Sequence, residues 1–180
     1  NFQLKQYDVA TAAFSAQLKD APMGQLAGDA AFMKAECLFK QNNYKDALPA
    51  FQAASKEKFS SPTMNMLLLL HAGQSAAQLK QWKESLDFLT QIPTKYPEST
   101  SLPEAMYETG WAKQNLGQLA DALQDYEAAA TKSRDHVGAR ARFMMGQIHF
   151  EKKEFDDAIR EFQRAMFGFG GENAAPQAKN

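Results

Sequence analysis

The sequence predicts an all-α fold, a stacked array of antiparallel helix pairs. Three observations predict it. A small residue recurs at Ala35, Gly73, Gly110 and Gly146, in steps of 38, 37 and 36 residues. A second small residue, Ala47, Ser85, Ala122 or Ala158, follows each of these after 12 residues. Alternation of apolar and polar residues with a period of two is missing throughout, so strands have no support. A fixed period of this length marks a repeat array, in which a helix pair buries its apolar stripe only by stacking on its neighbours.

The residues around the second small position explain the packing. Tyr44, Trp82, Leu119 and Phe155 stand three before it; Phe51, Leu89, Tyr126 and Phe162 stand four after it. Ala54, Ile92, Ala129 and Ala165 continue the same face three residues later. Small residues let two helix backbones approach, and bulky residues one turn away fill the adjacent groove.

In chain order, Tyr7, Ala10 and Phe14 repeat the spacing of Tyr44, Ala47 and Phe51, so a helix over 5–19 reads as the second half of a repeat. Helices over 26–41 and 44–57 carry the first full pair. Ser61 and Pro62 predict an N-cap and a first-turn proline for a helix over 63–80. Its run Met64–Leu70 has too few polar positions for a surface helix and predicts burial on most sides. Helices follow over 82–95, 102–116, 119–132, 136–152 and 155–167. Ser101 with Glu104 predicts a capping box, and Gly168 a left-handed helix end.

These residues carry a resemblance. The stretches Ala31–Phe59 and Leu69–Pro97 look like tetratricopeptide repeats. The family's small eighth and twentieth places are filled in all four copies, and its aromatic seventeenth place by Tyr44, Trp82 and Phe155 but not by Leu119. The closing proline is matched only by Pro97, and the tryptophan frequent at the fourth place is absent. The resemblance covers about residues 26–168. It implies a right-handed α-α superhelix, a solenoid of antiparallel helix pairs. The whole chain then divides into a partial repeat at 1–25, repeats near 26–62, 63–100, 101–135 and 136–170, and a tail at 171–180. Both ends cut the array in mid-repeat, which predicts a piece of a longer protein. The segment Lys95–Ser99 is similar to repeat endings of bacterial envelope members of the family, including periplasmic Tol-Pal-associated proteins and outer-membrane assembly lipoproteins. That likeness favours a periplasmic or cell-envelope location over the cytoplasm.

Composition narrows the function. A net charge of -1 argues against nucleic acid as a partner, since phosphate binding needs a basic excess or a basic face. No apolar run approaches the ~20 residues of a membrane span. The single cysteine, Cys37, excludes an internal disulfide and a cysteine zinc site; placed between Phe32 and Phe39, it reads as a buried small hydrophobe. His71, His136 and His149 lack metal-ligand spacing in sequence. No GxSxG, P-loop or HExxH occurs. The expectation is a protein that is not an enzyme and has no catalytic residue, metal or cofactor.

The resemblance also implies where a partner sits, because in the family the first helix of each pair lines the concave groove. Carrying the groove positions over gives Phe32, Glu36 and Phe39, then Leu70 and Gln74, then Tyr107, Trp111 and Gln114, then Arg140, Phe143, Gln147 and Phe150. Apolar and aromatic groups flanked by amides suit a peptide or partner domain offering apolar anchors and backbone groups. Tyr107 and Trp111, one turn apart, stand out because each joins an apolar body to a polar tip. The alternative for the phenylalanines is that they fill gaps between adjacent repeats. Lys132, Arg134, Arg140 and Arg142 form a basic run, with a solvated, locally compensated face as the simpler account. Two further readings stay open: a self-assembling module forming homo-oligomers through its repeat ends, and a regulatory domain of a larger protein.

Overall fold

The structure is a computed structural model that describes residues 6–22, 24 and 26–168. The described residues contain helices and no strand. In order they are α1 (Tyr7–Asp20), α2 (Ala27–Lys40), α3 (Tyr44–Ala54), α4 (Pro62–Gln78), α5 (Trp82–Leu89), α6 (Ile92–Lys95), α7 (Leu102–Asn115), α8 (Leu119–Lys132), α9 (His136–Glu151) and α10 (Phe155–Phe167). The chain forms two compact units, 1–94 and 95–180. The first holds α1 to α5 and most of α6; the second holds α7 to α10.

Within each unit consecutive helices pack as antiparallel pairs, and the small positions lie where the register places them. Ala35, Ala47, Ser85 and Ala122 are fully buried. A Cβ added at Gly73 would stand 2.5 Å from Leu89, one at Gly110 2.9 Å from Tyr126, and one at Gly146 2.5 Å from Phe162. Each of these three glycines thus faces the bulky residue of its own partner helix. Phe51, Leu89 and Tyr126 are fully buried there. Met66, Leu68, Leu69 and Leu70 of α4 are buried as the Met64–Leu70 run predicts.

Each turn between the helices of a pair contains one residue of positive φ: Asn42 (57°), Lys80 (60°), Gly117 (78°) and Lys153 (63°). These residues recur in the steps of the small positions. Gly117 and, to a lesser degree, Asn42 have residue types that this backbone favours; Lys80 and Lys153 do not.

Helix ends depart from expectation in three places. Ser61 does cap α4, its side chain accepting from the Thr63 N–H at 3.3 Å. Ser101 makes no capping hydrogen bond at α7, so the capping box with Glu104 does not form. Gly168 has φ -83°, an ordinary helical value, so it closes α10 without a left-handed turn. The helix expected over 82–95 breaks into α5 and α6. Pro93, without an N–H to donate and with a ring that crowds the preceding turn, opposes one continuous helix there. Residues 1–5 and the tail beyond Gly168, including Gly170 and Gly171, lie outside the described residues.

Candidate functional site

The twelve groove positions separate into those the fold buries and those it leaves open. In the first unit Phe32, Glu36 and Leu70 are buried. Phe32 meets Phe51 and Phe59 with centroids 6.3 and 6.2 Å apart. Phe39 is half-buried and stacks on His71, with centroids 4.5 Å apart and ring planes 10° apart. His71 Nδ1 pairs with the Glu36 carboxylate. A buried carboxylate requires such a partner. Glu36, Phe39 and His71 are therefore one internal cluster joining α2 to α4, and Gln74 lies half-buried one turn further along α4. Cys37 is fully buried, and burial pushes its thiol above the ordinary range, away from nucleophilic use.

In the second unit α9 lies against both α7 and α8. Tyr107, only 7% exposed, shares a core with Tyr126, Ala130, Val137, Ala141, Met145 and Ile148. Trp111 packs against the same core. The Arg140 guanidinium lies 4.1 Å from the Tyr107 ring centroid, a cation–π contact, and 3.5 Å from Glu104. Burial pushes the Tyr107 phenol above its usual range. Gln114 is committed as well: its Oε1 accepts from the Tyr126 hydroxyl at 2.8 Å. Tyr107 and Trp111 thus fill the space between repeats, the alternative raised for the phenylalanines.

Phe143 and Phe150 stand differently. They are 48% and 58% exposed on one face of α9, with half-buried Gln147 between them. Two cavities flank Phe143. One, about 360 Å³, is lined by Tyr107, Arg140, Met144, Ala165 and Met166 besides Phe143. The other, about 320 Å³, is lined by Phe143, Gln147, Phe150, Glu151 and Phe162. On α10, exposed Phe155, Ile159 and Met166 continue this apolar surface around half-buried Phe162. Phe143 meets Phe162 at 5.4 Å and Phe150 meets Phe155 at 5.7 Å between centroids. The α10 stripe is missed by a reading confined to first helices. The 36-residue register exposes it, because Phe155, Ile159, Phe162 and Met166 match Leu119, Leu123, Tyr126 and Ala130.

The charged clusters disperse. Arg142 bridges Glu127 and Glu161. Hydrogen bonding to Arg142 holds the Glu127 carboxyl below the usual carboxylate range. Lys132 and Arg134 line a separate cleft of about 470 Å³, together with Glu98, Glu104 and Asp135. That cleft is mixed in charge rather than basic. The structure does bring His149 together with acids: a ring nitrogen and carboxylate oxygens of Glu154 and Asp157 lie within 4.8 Å of one another, a grouping the sequence spacing does not suggest. His149 Nδ1 is 2.6 Å from Glu154, Lys152 Nζ is 2.9 Å from the same carboxylate, and Arg160 pairs with Asp157. Glu154 is held below the usual carboxylate range, first by Lys152 and then by His149. Both acids flank the N-terminus of α10, where a helix dipole favours negative charge, so a helix-end network accounts for the group.

Residues 107–173 match the family model described as tetratricopeptide repeat. That segment is similar to the tetratricopeptide repeat family. Residues 5–92 match a second family model, that of anaphase-promoting complex, cyclosome, subunit 3. The two matches fall either side of the junction between the units. Curated protein sequences give no match. Among solved structures, the chain resembles that of MamA, with 18% identity, a TM-score of 0.76, and 88% of this chain and 86% of that one covered. It also resembles YrrB, described as a TPR protein with an unusual peptide-binding site, at 21% identity and a TM-score of 0.74, covering 91% of this chain and 78% of that one. A tetratricopeptide repeat protein of Parabacteroides merdae matches at 19% identity and a TM-score of 0.73, covering 92% of this chain and 61% of that one. At these identities the likeness establishes the fold. Repeat solenoids present extended surfaces, and function is argued from the sites on them.

Proposed function

We propose that this protein is a protein-binding scaffold, and that it holds a peptide or domain of its partner on the aromatic face of α9 in the second unit. One observation carries the reading: Phe143 and Phe150 remain exposed on one helix face with a cavity on each side of Phe143. Large apolar side chains at the centre of a protein-sized surface are where binding energy concentrates. Gln147 between them offers an amide to a partner's backbone. The peptide-binding site in the description of YrrB favours the same class of function.

The experiment compares intact protein with Phe143→Ala/Phe150→Ala as bait in an extract of the source cell. A partner held by the intact protein and lost by the still-helical variant supports the reading. A partner held equally by both moves the site elsewhere. Tyr107 and Trp111 are unsuitable for this purpose, because their removal would open a core. A second reading, self-association, draws on the exposed Ile159, Met166 and Phe167 of α10. A sedimentation profile that depends on concentration would favour it.

A further inference from the structure

The links that return the chain from one helix pair to the next are built differently in the two units. In the first unit the link after α3 presses on the start of α2. A Cβ at Gly28 would overlap the Lys58 carbonyl, and Asp29 accepts from the Ser60 N–H at 2.9 Å. Seven and six residues before the first small position, Gly28 and Asp29 match Pro103 and Glu104 of α7. Eleven residues after the second small position, Lys58 matches Ser133. In the second unit these counterparts stand apart. Pro103 carries a ring where Gly28 has no side chain, and Glu104 turns to Arg140 at 3.5 Å. Pro103 and Ser133 both line the open cleft of about 470 Å³. The cleft is a departure from the array's own pattern, and it lies between two links inside the unit rather than at an end of the repeats.

The charges of the cleft are unevenly committed. Glu104 is taken by Arg140, and Asp135 by the Ser133 hydroxyl and the Val137 N–H. Lys132, Arg134 and Glu98 are exposed and enter no ion pair among the described residues. Ser133 is extended (φ -130°, ψ 132°) and buried, so Lys132 and Arg134 project together from the other side of their link. Glu98 stands on the facing link. We propose that this cleft grips a short segment of a partner protein that carries an acidic and a basic residue close together, the acid against Lys132 and Arg134 and the base against Glu98. A bare anion would leave Glu98 unanswered. Nucleic acid fits worse still, since Glu98, Glu104 and Asp135 share the walls. The assignment uses no residue of the aromatic face of α9, so either site can fail without the other.

The probe is a labelled peptide, Ala-Asp-Ala-Lys-Ala, capped at both ends and titrated with the protein at low salt, with binding read by fluorescence anisotropy. Saturable binding is expected, at least about threefold weaker when the peptide's aspartate becomes asparagine or its lysine becomes glutamine, and weaker in high salt. Two protein variants assign the contacts. Lys132→Gln/Arg134→Gln is expected to erase the preference for aspartate over asparagine, and Glu98→Gln the preference for lysine over glutamine. Thr100→Trp, at an exposed position lining the cleft, fills it while keeping every charge, and is expected to weaken binding at least about tenfold with helicity intact by circular dichroism. No binding, or equal binding of the charged and neutral peptides, overturns the proposal. Binding that survives Thr100→Trp also overturns it, because the charges would then act as open surface. Tighter binding of the doubly acidic peptide Ala-Asp-Ala-Asp-Ala overturns it in favour of a purely anionic ligand. None of these outcomes bears on the α9 face.

Discussion

Tyr126 and Phe162 hold the same place in successive repeats and lead different lives. Each stands four residues after the small residue of its helix and faces the glycine of its pair, Gly110 or Gly146. Tyr126 is fully buried because α9 closes over it, whereas Phe162 is half-buried beside open cavities. The contact inside a helix pair is the same in both; the contact with the following helix is not. Burial in a repeat protein is thus decided by what comes next as much as by the residue itself.

The sharpest way to break this comparison is truncation at both places. Tyr126→Ala is expected to cost about 3–5 kcal/mol, as for a fully buried aromatic, and Phe162→Ala only about 1–2 kcal/mol. Urea denaturation of the two variants measures the difference; equal losses would mean that α9 contributes little to holding Tyr126. Overpacking should show no such asymmetry. Ala122 and Ala158 are 0% and 1% exposed, because each faces the first helix of its own pair. Ala122→Trp and Ala158→Trp are each expected to cost roughly 1–3 kcal/mol or more. An unchanged melting temperature for either would remove the register.

The turns offer a smaller test. Gly117→Ala places a side chain at φ 78° and is expected to cost about 1–2 kcal/mol. Lys153→Gly relieves the same strain at φ 63° and is expected to gain up to about 1 kcal/mol. Thermal melts of the pair would show opposite signs. The smallest effect concerns acid. Hydrogen bonding to Arg142 lowers the Glu127 pKa in the folded state. That contribution is complete above the unfolded carboxyl pKa of about 4.3 and fades as pH falls through the folded value. Glu127 is half exposed, so the contribution is under about 1 kcal/mol. Arg142→Gln should lower stability near neutral pH while flattening its fall in acid, read from melting temperatures across pH 2–7.

The helix pairs were legible in sequence because the contact inside a pair is local: a small residue and its bulky counterpart lie within one repeat. The site was legible only in part, since a groove position says which helix face a side chain occupies and not whether a neighbour covers it. Tyr107 and Phe143 share that position, and α9 covers one of them. The Glu36–His71 pair escaped notice because its members lie 35 residues apart on different helices. The break ahead of Pro93 could have been read from that proline near the end of an otherwise uninterrupted pattern. The failed cap at Ser101 could not, since residue types permit a capping box without compelling its geometry.

The turn residues of positive φ carry a consequence for how the chain can lengthen. From Ala35, Gly73, Gly110 and Gly146 to Asn42, Lys80, Gly117 and Lys153 is always seven residues, and from there to the second small residue always five. From that residue to the next repeat is 26, 25 and then 24 residues. All the drift in the period falls in the return links, through residues such as Lys56–Ser61 and Ser133–Asp135. The repeat therefore has a fixed half and a sliding half. Insertions belong in the sliding half, where new length can be absorbed without moving a single helix pair out of register.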